Sequence, residues 1–451
     1  MSQRKYTPYV AALVALVFVV AAVALGWRLV NGDSSLLRNV SIGHDLITPN
    51  ADGQTDATPI QYTLSRNANV SIYFENAAGE RFYFRRAQPR GAGDYRVLFS
   101  GVVDGYRLPG ETSEGEILAR LLQDGGYTWT VEAADDAGVT ERAQGALTIA
   151  DADPMLPEIR GFTVWPPARV FTPNRDGIDD RVQPQFWLEK DVAEIRVFLL
   201  GDDGAEYPIT ALERDVPTGT RGQHVYDYDA GIDDGATPPP DGAYRLVAIA
   251  RDLAGQAVRV EDELTIRYGG VPRADIFSPP TGRTLRFEAT AVALCDTLWF
   301  EVTIRNYGST PIRTTGPAPG MVYDSNWNYN TLGWGTESGA WRVGIGFENA
   351  LSDYPFRWAV GNPEDLELID GRTYLMPGER AVVRGGIRIV DVLGKRNPQP
   401  MWAGLIHEDV EVAQFNSRVD PHSILIDIPD PDNRPECEPR EIPVRVEELQ
   451  P

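Results

Sequence analysis

A six-residue stretch that occurs twice constrains this chain more than any other feature. Thr48-Pro49-Asn50-Ala51-Asp52-Gly53 returns as Thr172-Pro173-Asn174-Arg175-Asp176-Gly177. Self-similarity at so long a spacing means that one supersecondary unit is built twice. The likeness extends past the loop. Val70-Ser71-Ile72-Tyr73-Phe74 is echoed, one residue out of phase, by Ile195-Arg196-Val197-Phe198-Leu199. Asp124-Gly125-Gly126-Tyr127, with Asp135 and Gly138 beyond it, is matched by Asp241-Gly242-Ala243-Tyr244, with Asp252 and Gly255.

The recurring residues are those that punctuate strands. Pro fixes φ and removes a ladder donor, Asn and Asp bond back to nearby backbone, and Gly takes a positive φ without steric cost. Pro-Asn-x-Asp-Gly is therefore a well-specified loop between strands. After Asp-Gly-x-Tyr the chain alternates: Tyr127, Trp129 and Val131 share one side, as do Tyr244, Leu246 and Ala248. Alternation bounded by turn residues predicts strands packed on one face. The run from Phe171 to Asp180, then a short strand, then Pro240-Asp241-Gly242-Ala243-Tyr244 and Ala250-Arg251-Asp252-Leu253-Ala254-Gly255, resembles the Ig-like domain of bacterial flagellar hook-capping proteins. The same module occurs in many bacterial surface proteins. The first copy differs in having Ile47 for the aromatic and an inserted stretch around Leu108–Leu122. The resemblance covers residues 41–268 and implies a β-sandwich scaffold, with no activity of its own.

At 451 residues the chain has room for about three domains. With 34 Pro and 43 Gly it suits turn-rich β structure. A net charge of −23 excludes nucleic acid as a partner, because phosphate needs clustered Lys and Arg.

Arg4 and Lys5 precede an uncharged run from Tyr6 to Trp27. Tyr9 to Trp27 as a helix spans roughly 28 Å, enough to cross a bilayer. Basic residues before it place the N-terminus in the cytoplasm and the bulk of the chain outside, at the cell surface. Residues 1–30 thus read as a cytoplasmic start and single-pass membrane anchor, and 31–40 as a tether. A cleaved signal peptide, processed at Ala22-Val23-Ala24, is the alternative.

Ig-like repeat 1 is expected over 41–150 and repeat 2 over 155–268, joined with little slack by Asp151-Ala152-Asp153-Pro154. Such a link makes a semi-rigid stalk. A third β-sandwich domain is expected over 274–430, followed by a Pro- and Glu-rich extended tail over 431–451. Its alternating Phe300–Asn306 strand, Tyr307-Gly308-Ser309 turn, Pro377-Gly378-Glu379 turn and Ser423–Ile428 strand are similar to Ig-like adhesion modules of prokaryotic cell-surface proteins. The predicted class is all-β, an N-terminal transmembrane helix followed by three Ig-like β-sandwich domains in tandem.

The spacing Asn-x-Asp-Gly-x-x-Asp offers a calcium ion oxygen ligands at alternate positions: Asn50, Asp52 and Asp56, or Asn174, Asp176 and Asp180. An EF-hand loop also needs a bidentate Glu at its twelfth position, where this chain has Gln61 and Gln185. A structural turn without a cofactor is the expected reading, and a Ca2+ loop its alternative. Cys295 and Cys437 are the only cysteines. Outside the cytoplasm they suit a disulfide pinning the tail to an early strand of the third domain, contributing on the order of 4–5 kcal/mol. Two buried free thiols are the other reading. Trp327, Tyr329, Trp334 and Trp341, interleaved with Asn and Asp, suit either a sugar-stacking surface or the core of a sandwich.

No nucleophile elbow, zinc-protease motif or phosphate loop occurs, and His44, His224, His407 and His422 lie far apart, so no catalysis is expected. The expected function is that of a membrane-anchored structural and interaction protein. Its two repeats would present the third domain to a protein or glycan partner at the cell surface. A carbohydrate- or cell-wall-binding accessory protein using the Trp-rich third domain is the alternative. A flagellar capping role conflicts with the anchor.

Overall fold

The computed structural model describes residues 13–23, 35–210, 217–348, 350–394, 396–428, 434 and 436–445. Residues 13–23 are helical and carry exposed apolar side chains. The rest of the apolar stretch, the start of the chain and 24–34 lie outside the described residues, as do 446–451 of the tail. Among the described residues no helix is long and apolar enough to cross a membrane. Among the described residues from Ser35 onward the regular structure is β-strand, apart from two single 3-10 turns at Pro363–Asp365 and Gln414–Asn416.

Two layers, antiparallel but for the short parallel pairing of Leu46–Ile47 with Thr148 and Ile149, enclose the first core. One has the strands Leu37–Ile42, Thr58–Leu64 and Gly93–Phe99; the other runs Leu46–Ile47, Thr140–Ile149, Gly125–Ala134, Ala68–Glu75 and Arg81–Arg90. Between them pack Tyr127, Trp129 and Val131, all buried, with Ile60, Ile72 and Phe74. The second unit repeats the plan. Ile159–Trp165, Gln183–Leu188 and Gly222–Val225 form its small sheet, facing one built on Glu194–Leu200, Gly242–Arg251 and Ala257–Ile266.

The residues that recur in sequence do the same work in each copy. The Tyr127 hydroxyl donates to the Gln123 carbonyl at 2.9 Å, and that of Tyr244 to the Pro240 carbonyl at 2.6 Å. In both copies this bond ties the strand to the connection before it. Asp124 accepts the N–H groups of Asp151 and Ala152, as Asp241 accepts those of Tyr268 and Gly269. Asp135 and Asp252 each hold the hairpin turn that follows them.

The inserted stretch of the first repeat does not stay in the first repeat. Glu116–Leu121 pairs antiparallel with Ala257–Ile266 and so extends the second unit's sheet, with Val102–Asp104 beside it. Ile117, Leu156 and Val258 form a small buried cluster at this join. The link between the units is pinned as well. Lys190 Nζ lies 2.5 Å from Asp153 and 2.8 Å from Asp252, and the Gln256 amide donates to the Met155 carbonyl at 2.9 Å.

Beyond Gly270, sheets of five and eight strands pack face to face around Phe300, Val302, Tyr323, Trp358 and Val383. The alternating strand predicted around Phe300–Asn306 is observed as Thr297–Asn306, paired along its length with Arg380–Arg388.

Candidate functional site

Both copies of the repeated loop close by the same hydrogen bonds. The Asp56 carboxylate accepts the N–H groups of Asn50 (3.2 Å), Ala51 (2.9 Å) and Gly53 (2.7 Å). Asp180 accepts those of Asn174 (3.1 Å) and Gly177 (2.6 Å). Asn50 and Asn174 each accept from the residue two further on, and so do Asp52 and Asp176. Gly53 and Gly177 hold φ of 85° and 83°, the left-handed region that favours glycine. The oxygens proposed for calcium are thus turned onto backbone donors, as Asx turns require. Among the described residues no group of three or more His, Cys, Asp or Glu side chains could hold a metal ion.

The two loops differ in what lies above them. The first is exposed, whereas the second is covered by the third domain, leaving Asn174 and Asp176 only 2% and 5% accessible. Tyr374 donates its hydroxyl to Asp176 Oδ2 at 2.9 Å, and Arg313 Nε donates to the Asp176 carbonyl at 2.7 Å. His407 Nε2 lies 2.8 Å from the Arg175 carbonyl and so carries a proton toward it. Gly177 and Gly339 meet here. A Cβ on Gly177 would sit 2.2 Å from the Ser338 carbonyl oxygen, and one on Gly339 would sit 2.1 Å from the Asp176 carbonyl carbon.

Burial sets the electrostatics of this junction. It pushes the Asp180 carboxyl up to about 6, with the Asp176 charge adding to the effect. Asp176 is also raised by burial, opposed by the Tyr374 hydrogen bond. His407 is pushed down to about 4 by burial and stays neutral. Behind it, Glu408 accepts both Arg357 Nη1 (2.8 and 2.7 Å) and Arg342 Nη1 (3.3 Å). His407-Glu408-Asp409 is a polar run at a strand end. It is the end of the strand Gln399–His407, and its role is to close a domain junction.

The four rings that suit either a sugar-stacking surface or a sandwich core lie in the third domain. Trp327, Tyr329 and Trp341 are buried, and Trp334 packs against the same core. Trp341 stacks on His407, with ring centroids 4.4 Å apart and 18° between planes. Guanidinium groups cap the others: Arg357 lies 3.9 Å from the Tyr329 centroid, Arg440 5.5 Å from Trp327 and Arg445 4.4 Å from Trp334. Arg440 and Arg445 belong to the tail. Residues 436–445 lie along the rings, held by the Cys295–Cys437 disulfide (S–S 2.07 Å). Arg440 adds a bond to Asp324, and the Arg445 N–H a bond to the Leu332 carbonyl. The interleaved Asn residues form turns, as in the reciprocal bonds of Asn328 and Thr331. Of the two readings open in sequence, the burial of these rings and the tail lying over them favour the core.

No protein-family model matches this chain, and no curated protein matches it. Among solved structures it is similar to a Ca2+-stabilized adhesin that helps an Antarctic bacterium bind ice. That likeness has 13% identity over 83% of this chain and 84% of that one, with a TM-score of 0.22. A 1.5-MDa bacterial ice-binding adhesin gives 11% identity over 79% and 98%, at 0.20. A tetra-tandem repeat from the extending region of a large adhesion protein gives 11% over 81% and 80%, at 0.15. At such scores these likenesses carry no argument about mechanism or ligand.

Proposed function

We propose that this chain is a non-enzymatic, extracytoplasmic interaction protein held at the membrane by residues 9–27. In this reading two Ig-like repeats act as a stalk for the third β-sandwich. The observation that carries it is the continuity between units. A strand of the first repeat completes the sheet of the second, and the Asn174–Asp180 loop of the second is locked under Tyr374, Arg313 and His407 of the third. Loose linkers would let the units swing; these joins resist it. The Cys295–Cys437 disulfide suits an oxidising compartment outside the cytoplasm. The third-domain rings favour no glycan reading, because the tail covers them.

The test is topology. A tag after Pro451 should be accessible to antibody on intact cells, and a signal confined to the cytoplasm would end this reading. Mass spectrometry of the N-terminus separates an anchor from a leader: a mature start at Leu25 would replace the first with the second.

A further inference from the structure

The second repeat carries an open aromatic platform on the outer face of its three-stranded sheet. Trp165 is 59% exposed and Trp187 45% exposed, among the largest apolar side chains left open in the described residues. They stand on neighbouring strands. Trp165 pairs with Gln183, and Trp187 lies four residues further along the same strand as Gln183. At about 3.4 Å per residue the two indoles are roughly 14 Å apart. Between and beside them on the same face are Thr163, Gln183, Gln185 and Gln223. Among the described residues no hydrogen bond engages the three glutamine side chains. At one corner Arg160 is held by Glu158 and Glu189, and the Glu114 carboxylate accepts the Gly161 N–H at 2.8 Å.

The first repeat is an internal control for what this fold requires. Its register is the same: Arg38 pairs with Thr63 and Ser41 with Gln61, as Arg160 pairs with Trp187 and Thr163 with Gln185. Even the bulge is shared, with Asn39 and Gly161 at φ of 50° and 61°. Yet Gly43 stands where the second repeat has Trp165, and Thr63 where it has Trp187. Asp94 and Arg96 stand where it has Gln223 and Val225. The scaffold folds without the indoles and with charges on this face. In the second copy Gln223 and Val225 replace those two charges, Arg160 keeps the place of Arg38, and two exposed tryptophans are added, at the cost of leaving large apolar surface in water.

We infer that this face binds an uncharged polysaccharide chain, with Trp165 and Trp187 stacking on the apolar faces of separate sugar rings and the glutamine amides bonding hydroxyls between them. The chemistry selects that partner. An exposed sheet face with rings and amides matches a ligand that has apolar faces edged by hydroxyls. The chain's charge of −23 repels polyanions, and the strip between the indoles is lined by uncharged Thr163, Gln183 and Gln185. This inference rests on the surface-interaction reading and names its partner.

The experiment is co-sedimentation of the full-length chain, in mild detergent, with insoluble cellulose and chitin. The wild type should sediment with at least one of them. Trp165→Ala with Trp187→Ala should weaken retention by about tenfold or more, with unchanged melting. Absence of binding to both, or binding retained by the double variant, overturns the inference. So does a wild type that self-associates through this face, seen as a dimer lost in the double variant without any polysaccharide binding. If alanine lowers the melting temperature, Trp165→Gly with Trp187→Thr installs the residues the first repeat already carries there, and the same criteria apply. A chain accessible on cells that binds neither polysaccharide sinks the platform alone; one that binds but is cytoplasmic sinks the surface reading alone.

Discussion

Gly53 and Gly177 share a conformation but not a neighbourhood, which lets the two costs of a side chain be separated. A Cβ on Gly53 meets nothing within 4 Å, whereas one on Gly177 runs into the Ser338 carbonyl at 2.2 Å. Gly53→Ala should therefore lose about 1 kcal/mol for its positive φ, and Gly177→Ala about 3 kcal/mol or more, the excess arising from the third domain. Equal losses by thermal denaturation would show that the junction yields. His407 supplies a second residue-scale prediction. Its folded pKa, about 4, lies below its ordinary 6.5, so the folded state favours the neutral ring. Its contribution is present above pH 6.5 and lost as pH falls toward 4. Asp180, raised to about 6, runs the other way and loses its contribution as pH rises through 6. His407→Gln should thus be most destabilising relative to wild type at pH 7, with the deficit shrinking as pH drops through 6.5 to 4. A deficit independent of pH would refute the buried neutral histidine.

Between elements, the decisive feature is the strand Glu116–Leu121, which belongs to one repeat in sequence and to the other in its sheet. Ile117 is buried against Val258 and Leu156 at this join. Ile117→Asp should cost about 3 kcal/mol by burying an unpaired polar group. It should also split a shared unfolding transition of the two repeats into two in calorimetry; a single unsplit transition would show that the added strand does not couple them. The same strand marks where sequence reading stops. The loops and the Asp-Gly-x-Tyr strands are legible because each recurring Asp, Asn or Tyr caps backbone a few residues away. The partner of an inserted strand lies far off in the chain, and no local pattern names it. Trp327 and Trp334 leave two readings open in sequence for a related reason: the Arg440 and Arg445 that lie over them come from the distant tail. Trp165 and Trp187 pass unnoticed because alternation alone does not say which side of a strand faces water.

At the scale of the whole molecule, both connections between units are pinned rather than free. Lys190 and Gln256 hold the first link, and Thr310 donates to the Tyr268 carbonyl at 2.5 Å at the second. A stalk can be stiffened in two ways, by ions bound at its joints or by direct contacts, and the two respond differently to chelation. Here the carboxylates of the repeated loops are turned onto their own N–H groups. The one that faces another domain, Asp176, is taken by Tyr374. Removing divalent ions with EDTA should therefore leave the melting temperature of the full chain unchanged. If an ion were bound by the folded state alone, its removal would lower stability by mass action. A drop of more than about 4 °C, equivalent to roughly 1 kcal/mol for a domain of this size, would mean that Asp52, Asp56, Asp176 or Asp180 holds a cation. Repeating the measurement with Asp56→Asn and with Asp180→Asn would then show which joint it stiffens, because only the second lies at an interface between units.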